Sequence, residues 1–444
     1  MSSHHITSRA GYAWLVVGLL WPVVMLNYLD RQMVATIRVS IRADIPSIAN
    51  DQDFGTLMAV FMWVYAFLSP VGGFIGDRFS RRWTIIASLF AWSAVTWATG
   101  HCTTYWQMFS CRALMGISEA LYFPAALALI ADFHPGRTRA RAVGIHESGL
   151  YMGLALGGIG GYVAQVSTWR NCFTWFGAAG VVYAAVLMFG LPDRESTREG
   201  ESASRADGEG RRVTVAKTVR ALWSQPAFWI LVLFFTLPAI SGWVAKNWLP
   251  TYLADTFNLR EGPAGVSATS FIHVASVVGV LLGGVLADYW MRATLRGRVF
   301  TSATGCFLLV PALLGLGYAW SMPAAIGFMI LFGIGWGFMD ANNMPILCQI
   351  ARPEHRATGY GFMNMVSIST GAAVTVALGW MRDHGIKFSV AFAASAAVAL
   401  LSALLILLLK PRPEIEQAEA ATHRRSCPGN GTALQPATPL REVA

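Results

Sequence analysis

Charge is scarce in this chain. Asp, Glu, Lys and Arg make up 13% of 444 residues, roughly half of what a soluble protein of this size carries on its surface. That excludes an ordinary water-soluble globule. Cysteine is scarce as well, and the six cysteines form no spaced framework. Cys111, Cys172, Cys306 and Cys348 fall inside apolar blocks, Cys102 near the end of one, and Cys427 in the C-terminal tail. Neither a disulfide scaffold nor a metal site is expected, and no cofactor is implied. A phosphate-binding loop is missing, so direct drive by ATP has no support. No soluble domain is appended, and no His/Asp/Cys cluster collects at one face, which argues against a membrane sensor or a membrane-embedded enzyme.

What the chain does contain is hydrophobic length. Of its residues 55% are hydrophobic, and they come in blocks of about 20, the thickness of a bilayer's hydrocarbon core. Twelve such blocks run over 12–37, 53–76, 83–101, 105–133, 142–166, 169–191, 226–256, 264–288, 299–318, 322–350, 357–381 and 388–410. The expected fold is an all-α integral membrane protein of 12 transmembrane helices. The first block is long and lacks a small-residue cleavage site, so it reads as a retained helix rather than a signal peptide.

The net charge of +9 suggests nucleic acid, but its distribution rejects that partner. With both termini placed in the cytoplasm, the inner loops and tails hold 24 Lys and Arg and the outer loops six: Arg38, Arg42, Arg170, Arg260, Arg382 and Lys387. Arg31, Arg112 and Lys246 remain inside spans. This bias fits the positive-inside rule. It predicts a multi-pass protein of the cell (inner or plasma) membrane. Asn430-Gly431-Thr432 spells a glycosylation triplet, but in a tail expected to face the cytoplasm.

The chain divides into two halves of six spans. Residues 1–192 form an expected N-terminal six-helix bundle and 226–410 a C-terminal one. The polar segment 193–225, rich in Arg, Glu, Ser and Gly, reads as a cytoplasmic linker with a short amphipathic helix at 213–223, and 411–444 as a disordered cytoplasmic tail. The halves repeat. Gly72-Gly73, Asp77 and Arg81 after the second span align at one offset with Gly283-Gly284, Asp288 and Arg292 after the eighth. Arg139-Ala140 with Gly144 is echoed by Arg356-Ala357 with Gly361. Parallel repeats of this kind place a substrate site near the midplane, between the halves.

With Gly73-x-x-x-Asp77-Arg78-x-x-Arg81-Arg82 between spans two and three, the chain resembles the major facilitator superfamily over nearly all of residues 10–410. Ser80 stands where that family usually has glycine, which loosens a turn preference and removes no charge. An aspartate at a helix end accepts hydrogen bonds from a neighbouring helix N-terminus. We therefore expect Gly73, Asp77, Arg78, Arg81 and Arg82, with Asp288 of the second half, to latch the halves on the cytoplasmic side. Simple positive-inside decoration is the plainer alternative.

A charged side chain at the bilayer centre costs about 2.5–3.5 kcal/mol on insertion scales, so it usually faces a partner or a wet cavity. The first span contains Asn27-Tyr28-Leu29-Asp30-Arg31-Gln32 and the fourth contains Arg112 and Glu119. Arg112 and Glu119 lie two helical turns apart and share a face. Asp30 and Arg31 point about 100° apart. Two acids and two arginines could form a neutral lattice that holds helices together. They could instead form a site in which arginines grip an anion and acids take up protons.

Asn27-Tyr28-x-Asp30-Arg31, Arg112-x-x-x-Gly116-x-x-Glu119-Ala120-x-x-Phe123-Pro124-Ala125 and Arg356-Ala357-Thr358-Gly359-Tyr360-Gly361 resemble the anion:cation symporter branch, whose members carry sugar acids and other carboxylates with protons. The resemblance implies that Arg31 and Arg112 bear on the substrate anion and that Asp30 and Glu119 are proton-coupling acids. Arginine's planar fork matches a carboxylate. Tyr28, Lys246 of span seven and Asn343 of span ten complete the expected substrate-binding set. Lys246 either closes a two-sided clamp or snorkels to the outer interface. Asp340, Asn342 and Asn343 suit hydroxyl groups, or else glue helices. His146-Glu147 departs from the branch, which shows an apolar residue and asparagine there; the pair is expected near the cytoplasmic end in water, or as an added proton site. His273 reads as a polar helix contact.

The expected function is proton-coupled symport of a small organic anion by alternating access, through a monomer. A proton-linked antiporter exporting drugs or lipids is the alternative in the same class, since Asp30 and the wording around Gly76-Asp77-Arg78 and Glu119-Ala120 also resemble spinster-type lipid carriers. Arg31 and Arg112 favour an anionic substrate over a cationic drug.

Overall fold

The computed structural model describes residues 3–78, 80–134, 138–191 and 220–411, and within them 16 helices and no strand. The first half comprises α1 (Ser3–Thr36), the short α2 (Arg38–Asp44), α3 (Asp51–Arg78), α4 (Arg81–Thr99), α5 (Tyr105–Glu119), α6 (Tyr122–Phe133), α7 (Arg139–Leu156), α8 (Ile159–Val166) and α9 (Trp169–Gly190). The second comprises α10 (Pro226–Phe257), α11 (Glu261–Met291), α12 (Gly297–Gly317), α13 (Met322–Asp340), α14 (Asn343–Ile350), α15 (Pro353–Asp383) and α16 (Phe388–Leu407). Among the described residues nine spans are long and apolar enough to cross a membrane. Three more, α3, α4 and α7 with α8, complete the twelve. Of the expected linker helix, only 220–223 fall within the described residues, and these are helical.

Local signals set the helix ends. Ser80 accepts from Trp83 N at 3.4 Å and starts α4. Thr104 and Gln107 make a reciprocal capping box at α5, which satisfies amides that have no partner inside the helix. Pro226 opens α10, where its missing N–H costs nothing. Asn258, at φ 52°, ends it in the left-handed conformation.

Three crossings expected to be continuous are broken. Gly157-Gly158 separates α7 from α8. The other two breaks share one pattern: an acid ends a helix and a proline follows five residues later. Glu119 ends α5 ahead of Pro124, and Asp340 ends α13 ahead of Pro345. Each proline removes the N–H that would reach the carbonyl four residues back, at Ala120 and Ala341. The pattern sits in the fourth and tenth spans, so each half presents a carboxyl at a helix break inside the membrane. Discontinuous helices of this kind mark binding sites in transporters.

Glycine allows the helices to approach closely. A Cβ on Gly153 of α7 would lie 2.2 Å from the Met25 carbonyl oxygen of α1, which is backbone and cannot move aside. Gly153→Val is therefore expected to lower stability by about 1–3 kcal/mol, the usual cost of overpacking. Detergent-solubilised protein would show this as a lower unfolding midpoint; an unchanged midpoint would contradict the packing. Between the halves, α3 lies along α15, and α7 and α8 along α11.

Candidate functional site

The buried charges do not form a four-membered lattice. Arg31 Nε donates to Glu119 Oε2 at 2.5 Å, linking α1 to the end of α5. The guanidinium lies 4.6 Å from the Tyr28 ring centroid, 4.9 Å from Phe61 and 4.4 Å from Tyr65. Such faces attract a cation. Asp30, one residue earlier, points elsewhere, as the helical angle requires. It accepts from the Thr96 hydroxyl of α4. Its Oδ1 and the Oε1 of Glu119 are buried with no hydrogen-bond partner. Arg112 is buried, donates to Leu57 O at 3.4 Å, and lies 4.8 Å from the Phe61 ring. It shares the Phe61 ring with Arg31, and among the described residues it has no carboxylate in ion-pair range.

The second half supplies a matching group. Lys246 does not snorkel to an interface; its ammonium sits 5.1 Å from the Trp243 ring and 4.8 Å from the Trp336 ring. Gln32, the neighbour of Arg31, donates to Lys246 O at 2.7 Å and so ties the two cationic segments together across the halves. Asp340 accepts from Tyr151 Oη of α7 at 2.5 Å and from Asn343 Nδ2 at 3.5 Å. Its contact with Tyr151 crosses between halves, so Asp340 is more than glue within its own bundle. Tyr360 of α15 has Asp340, Glu147 and Tyr65 among its charged and polar neighbours.

His146 and Glu147 separate. His146 is fully buried, with Nε2 at 2.9 Å from the Tyr122 hydroxyl, so the expectation of a solvated pair fails for it. Glu147 is exposed. Adjacent helical residues diverge by about 100°, and here the turn carries one into the first bundle and the other out of it. Asn342 is buried and donates to Phe338 O at 2.9 Å, a local helix contact.

Gly73 and the side chains of Asp77 and Arg78 lie in a stretch whose surroundings fall outside the described residues. Arg81 pairs with Asp132, and Arg82 Nη2 donates to Met188 O at 2.5 Å. Both partners belong to the same half. Asp288 lies 3.7 Å from Arg298, again within one half. In this conformation these three charges brace their own bundles.

The opposite end, which carries the 37–50, 258–260 and 384–387 connections, joins the halves directly. Asp51, the first residue of α3, pairs with Arg38, with Arg42 at 2.6 Å and with Arg382 of the second half at 2.7 Å. Arg382 also meets Asp255 at 2.8 Å. Asp383 accepts from the amides of Asp51 and Gln52 at 2.9 and 2.8 Å, capping α3 from the other bundle. Glu261 caps α2 in the same manner, accepting from Val39 N at 2.6 Å and Ser40 N at 3.0 Å. Carboxylates at helix N-termini suit both the free amides and the dipole. A Cβ on Gly161 would lie 2.4 Å from Glu261 O, so the backbones there touch. The sequence gives little warning of this latch, because acids at loop ends are ordinarily solvated.

The arrangement therefore sets two cations, Arg31 and Lys246, one from each half, against aromatic rings, with Gln32 tying their segments together and ion pairs joining the halves at one end. Among the described residues no group of His, Cys, Asp and Glu is able to hold a metal. Comparison with known proteins agrees with this architecture. Residues 20–376 match the family model described as Major Facilitator Superfamily. The chain is 25% identical over 414 residues to the D-galactonate transporter of Escherichia coli O6:H1, covering 89% of this chain and 95% of that protein. It is 28% identical over 385 residues to human protein spinster homolog 1, covering 82% and 71%. Among solved structures, a D-xylose-proton symporter superposes with a TM-score of 0.71 at 15% identity, covering 90% of this chain and 98% of that one. An inward-facing bacterial homologue of the human lysosomal transporter Spinster gives 0.68 at 18%, covering 90% and 95%.

Proposed function

This chain belongs to the major facilitator superfamily of membrane transporters, and from that premise we propose that it carries a small organic anion, a sugar acid or similar carboxylate, together with protons by alternating access. The observation that supports this most is the Arg31–Glu119 pair at 2.5 Å. An arginine already engaged by a carboxylate is a carboxylate-binding group whose protein partner an incoming anion can displace. Lys246 supplies a second cation from the other half, so one anion bridges both bundles. Arg112, which shares the Phe61 ring with Arg31, adds to the positive potential, and Tyr28 and Asn343 offer hydrogen bonds.

Proton coupling follows from the same exchange. When substrate takes Arg31, Glu119 loses its partner, and a buried carboxylate without one is costly. Protonation removes that cost. Asp30, buried with one oxygen lacking a donor, is the second proton-linked acid. Protons moving down a membrane potential contribute about 2.3 kcal/mol per charge per 100 mV. By the positive-inside rule the basic end faces the cytoplasm, both termini lie there, and the latched end faces outward. The protein then sits in the cell membrane as a monomer open to the inside. The gate role of Gly73, Asp77, Arg78, Arg81, Arg82 and Asp288 belongs to the opposite, outward-open state.

Proteoliposomes loaded with buffer and given an inward proton gradient test the reading, with D-galactonate, D-glucarate, sulfoacetate and aromatic acids as candidate substrates. Uptake of one anion that rises with the gradient and collapses with a protonophore supports it. Transport of lipids or of cationic drugs alone would replace it with the lipid-carrier or exporter reading. In the Asp30→Asn variant, gradient-driven accumulation is expected to disappear while anion exchange at equal pH persists. Full pH-driven accumulation by that variant would remove Asp30 from the coupling scheme.

A further inference from the structure

The two halves contain equivalent charge pairs in different states. Arg31 belongs to the first span and Glu119 to the broken fourth span, where they are bonded at 2.5 Å. The corresponding seventh and tenth spans contain Lys246 and Asp340, and Asp340 ends α13 as Glu119 ends α5, each five residues before a proline. Yet Lys246 and Asp340 are not bonded; among the described residues no carboxylate is in ion-pair range of Lys246. The distance to be crossed is short. The Lys246 ammonium sits 4.8 Å from the Trp336 ring, and Trp336 and Asp340 are four residues apart on α13, hence neighbours on one face.

What occupies Asp340 instead is Tyr151, whose hydroxyl donates to Oδ2 at 2.5 Å from the opposite half. Asn343 takes Oδ1 at 3.5 Å. Glu147 lies one turn before Tyr151 on α7 and is close enough to Asp340 to repel it. Loss of the Tyr151 bond would therefore leave Asp340 with a like charge on one side and an unpaired ammonium on the other. His273, a further titratable group close to Lys246, is buried.

We propose that Tyr151 is a positioning residue for substrate recognition: by holding Asp340 from across the halves it keeps Lys246 free to receive an anion. When the bundles move and Tyr151 withdraws, Asp340 turns to Lys246, as Glu119 already has to Arg31, and the bound anion loses one of its two cations. Affinity is thereby tied to conformation through one cross-half hydrogen bond. The proposal rests on the organic-anion reading for its consequence in transport, but the exchange of partners at Lys246 is measurable without substrate.

The test uses the full chain and the variants Tyr151→Phe, Asp340→Asn and the double variant. Lys246 is one of four lysines in the chain, with Lys217, Lys387 and Lys410. Its modification by pyridoxal phosphate, trapped with borohydride and quantified by peptide mass spectrometry, reports directly on whether the amine is free. Tyr151→Phe is expected to slow labelling of Lys246 about fivefold, the lower end of typical coupling between linked sites, with the other lysines unaffected. The double variant is expected to restore the parent rate, because no carboxylate is left to claim the amine. A merely structural role for Tyr151 predicts no rescue by Asp340→Asn. Unchanged labelling in Tyr151→Phe, or slow labelling that persists in the double variant, overturns the proposal. In uptake of D-galactonate the same three variants should follow the same order through KM, with kcat little changed. Restored labelling without any anion uptake by the parent would refute the organic-anion reading and leave the Tyr151–Asp340–Lys246 exchange standing.

Discussion

Arg31→Ala is expected to lower anion uptake at least about thirtyfold. The substitution removes three things at once. It takes away the fork that would hold the substrate carboxylate. It leaves Glu119, whose side chain is fully buried, without a cation. It also empties the space between Tyr28, Phe61 and Tyr65, which surround the guanidinium at 4.4–4.9 Å. Removing one member of a buried, hydrogen-bonded charge pair costs about 2–5 kcal/mol, and about 2 kcal/mol already corresponds to the thirtyfold figure. The Arg31 side chain is 17% exposed, so the lower end of that range applies. Arg31→Lys keeps the charge and loses the planar fork, and its uptake should fall between the two. Counting initial rates in proteoliposomes, with unfolding midpoints to confirm that each variant is folded, decides the matter. Uptake by Arg31→Ala within threefold of the parent would mean that the anion does not meet this residue.

Asp51→Ala should open the latched end. Asp51 is the shared acceptor of Arg38, Arg42 and Arg382, three cations from both halves. Without it Asp255 remains near Arg38 and Arg382, but the cations outnumber it and repel one another. Breaking a buried ion pair by deleting one partner is worth about 3–5 kcal/mol. Of the three Asp51 ion pairs only the Arg382 contact crosses between the halves, so that share of the cost falls on the closed state alone, and about 1.4 kcal/mol of it shifts the two-state equilibrium about tenfold. Spin labels at Val39→Cys and Asn258→Cys, both exposed at that end, should report a longer inter-half distance in Asp51→Ala than in the parent. The Glu261 and Asp383 caps remain and make Asp51→Asn the milder change. A distance distribution identical to the parent's would show that the caps and the glycine contacts suffice to hold the end shut.

The fold was legible to a large degree. Block length identified the spans, including α7–α8, whose charges make it a poorer span by composition. The helix breaks at Glu119 and Asp340 were not anticipated, although Pro124 and Pro345 were visible. A single proline in an apolar block indicates a kink as readily as a break, and only the recurrence of an acid five residues before each would have distinguished the two. The buried charges proposed as the site were visible in the sequence, because a charge inside an apolar block stands out against its surroundings.

Partnership was not. Helical angle alone establishes that Asp30 and Arg31 diverge and that Arg112 and Glu119 share a face. It cannot say that Glu119 goes to Arg31 rather than to Arg112, since that depends on which faces of α1 and α5 meet. Tyr151, an ordinary tyrosine in span five, becomes a neighbour of Asp340 only because α7 crosses to the second bundle. The latch of Asp51, Glu261 and Asp383 arises in the same way, from termini of α2, α3, α11 and α15 brought together. The sequence by itself determined the number of spans and revealed the repeat and the buried charges, because hydrophobic length and the cost of buried charge act on each segment separately. Only the tertiary structure decided which charges are paired and which are free, because a hydrogen bond between helices requires a relative rotation and depth that no single helix specifies.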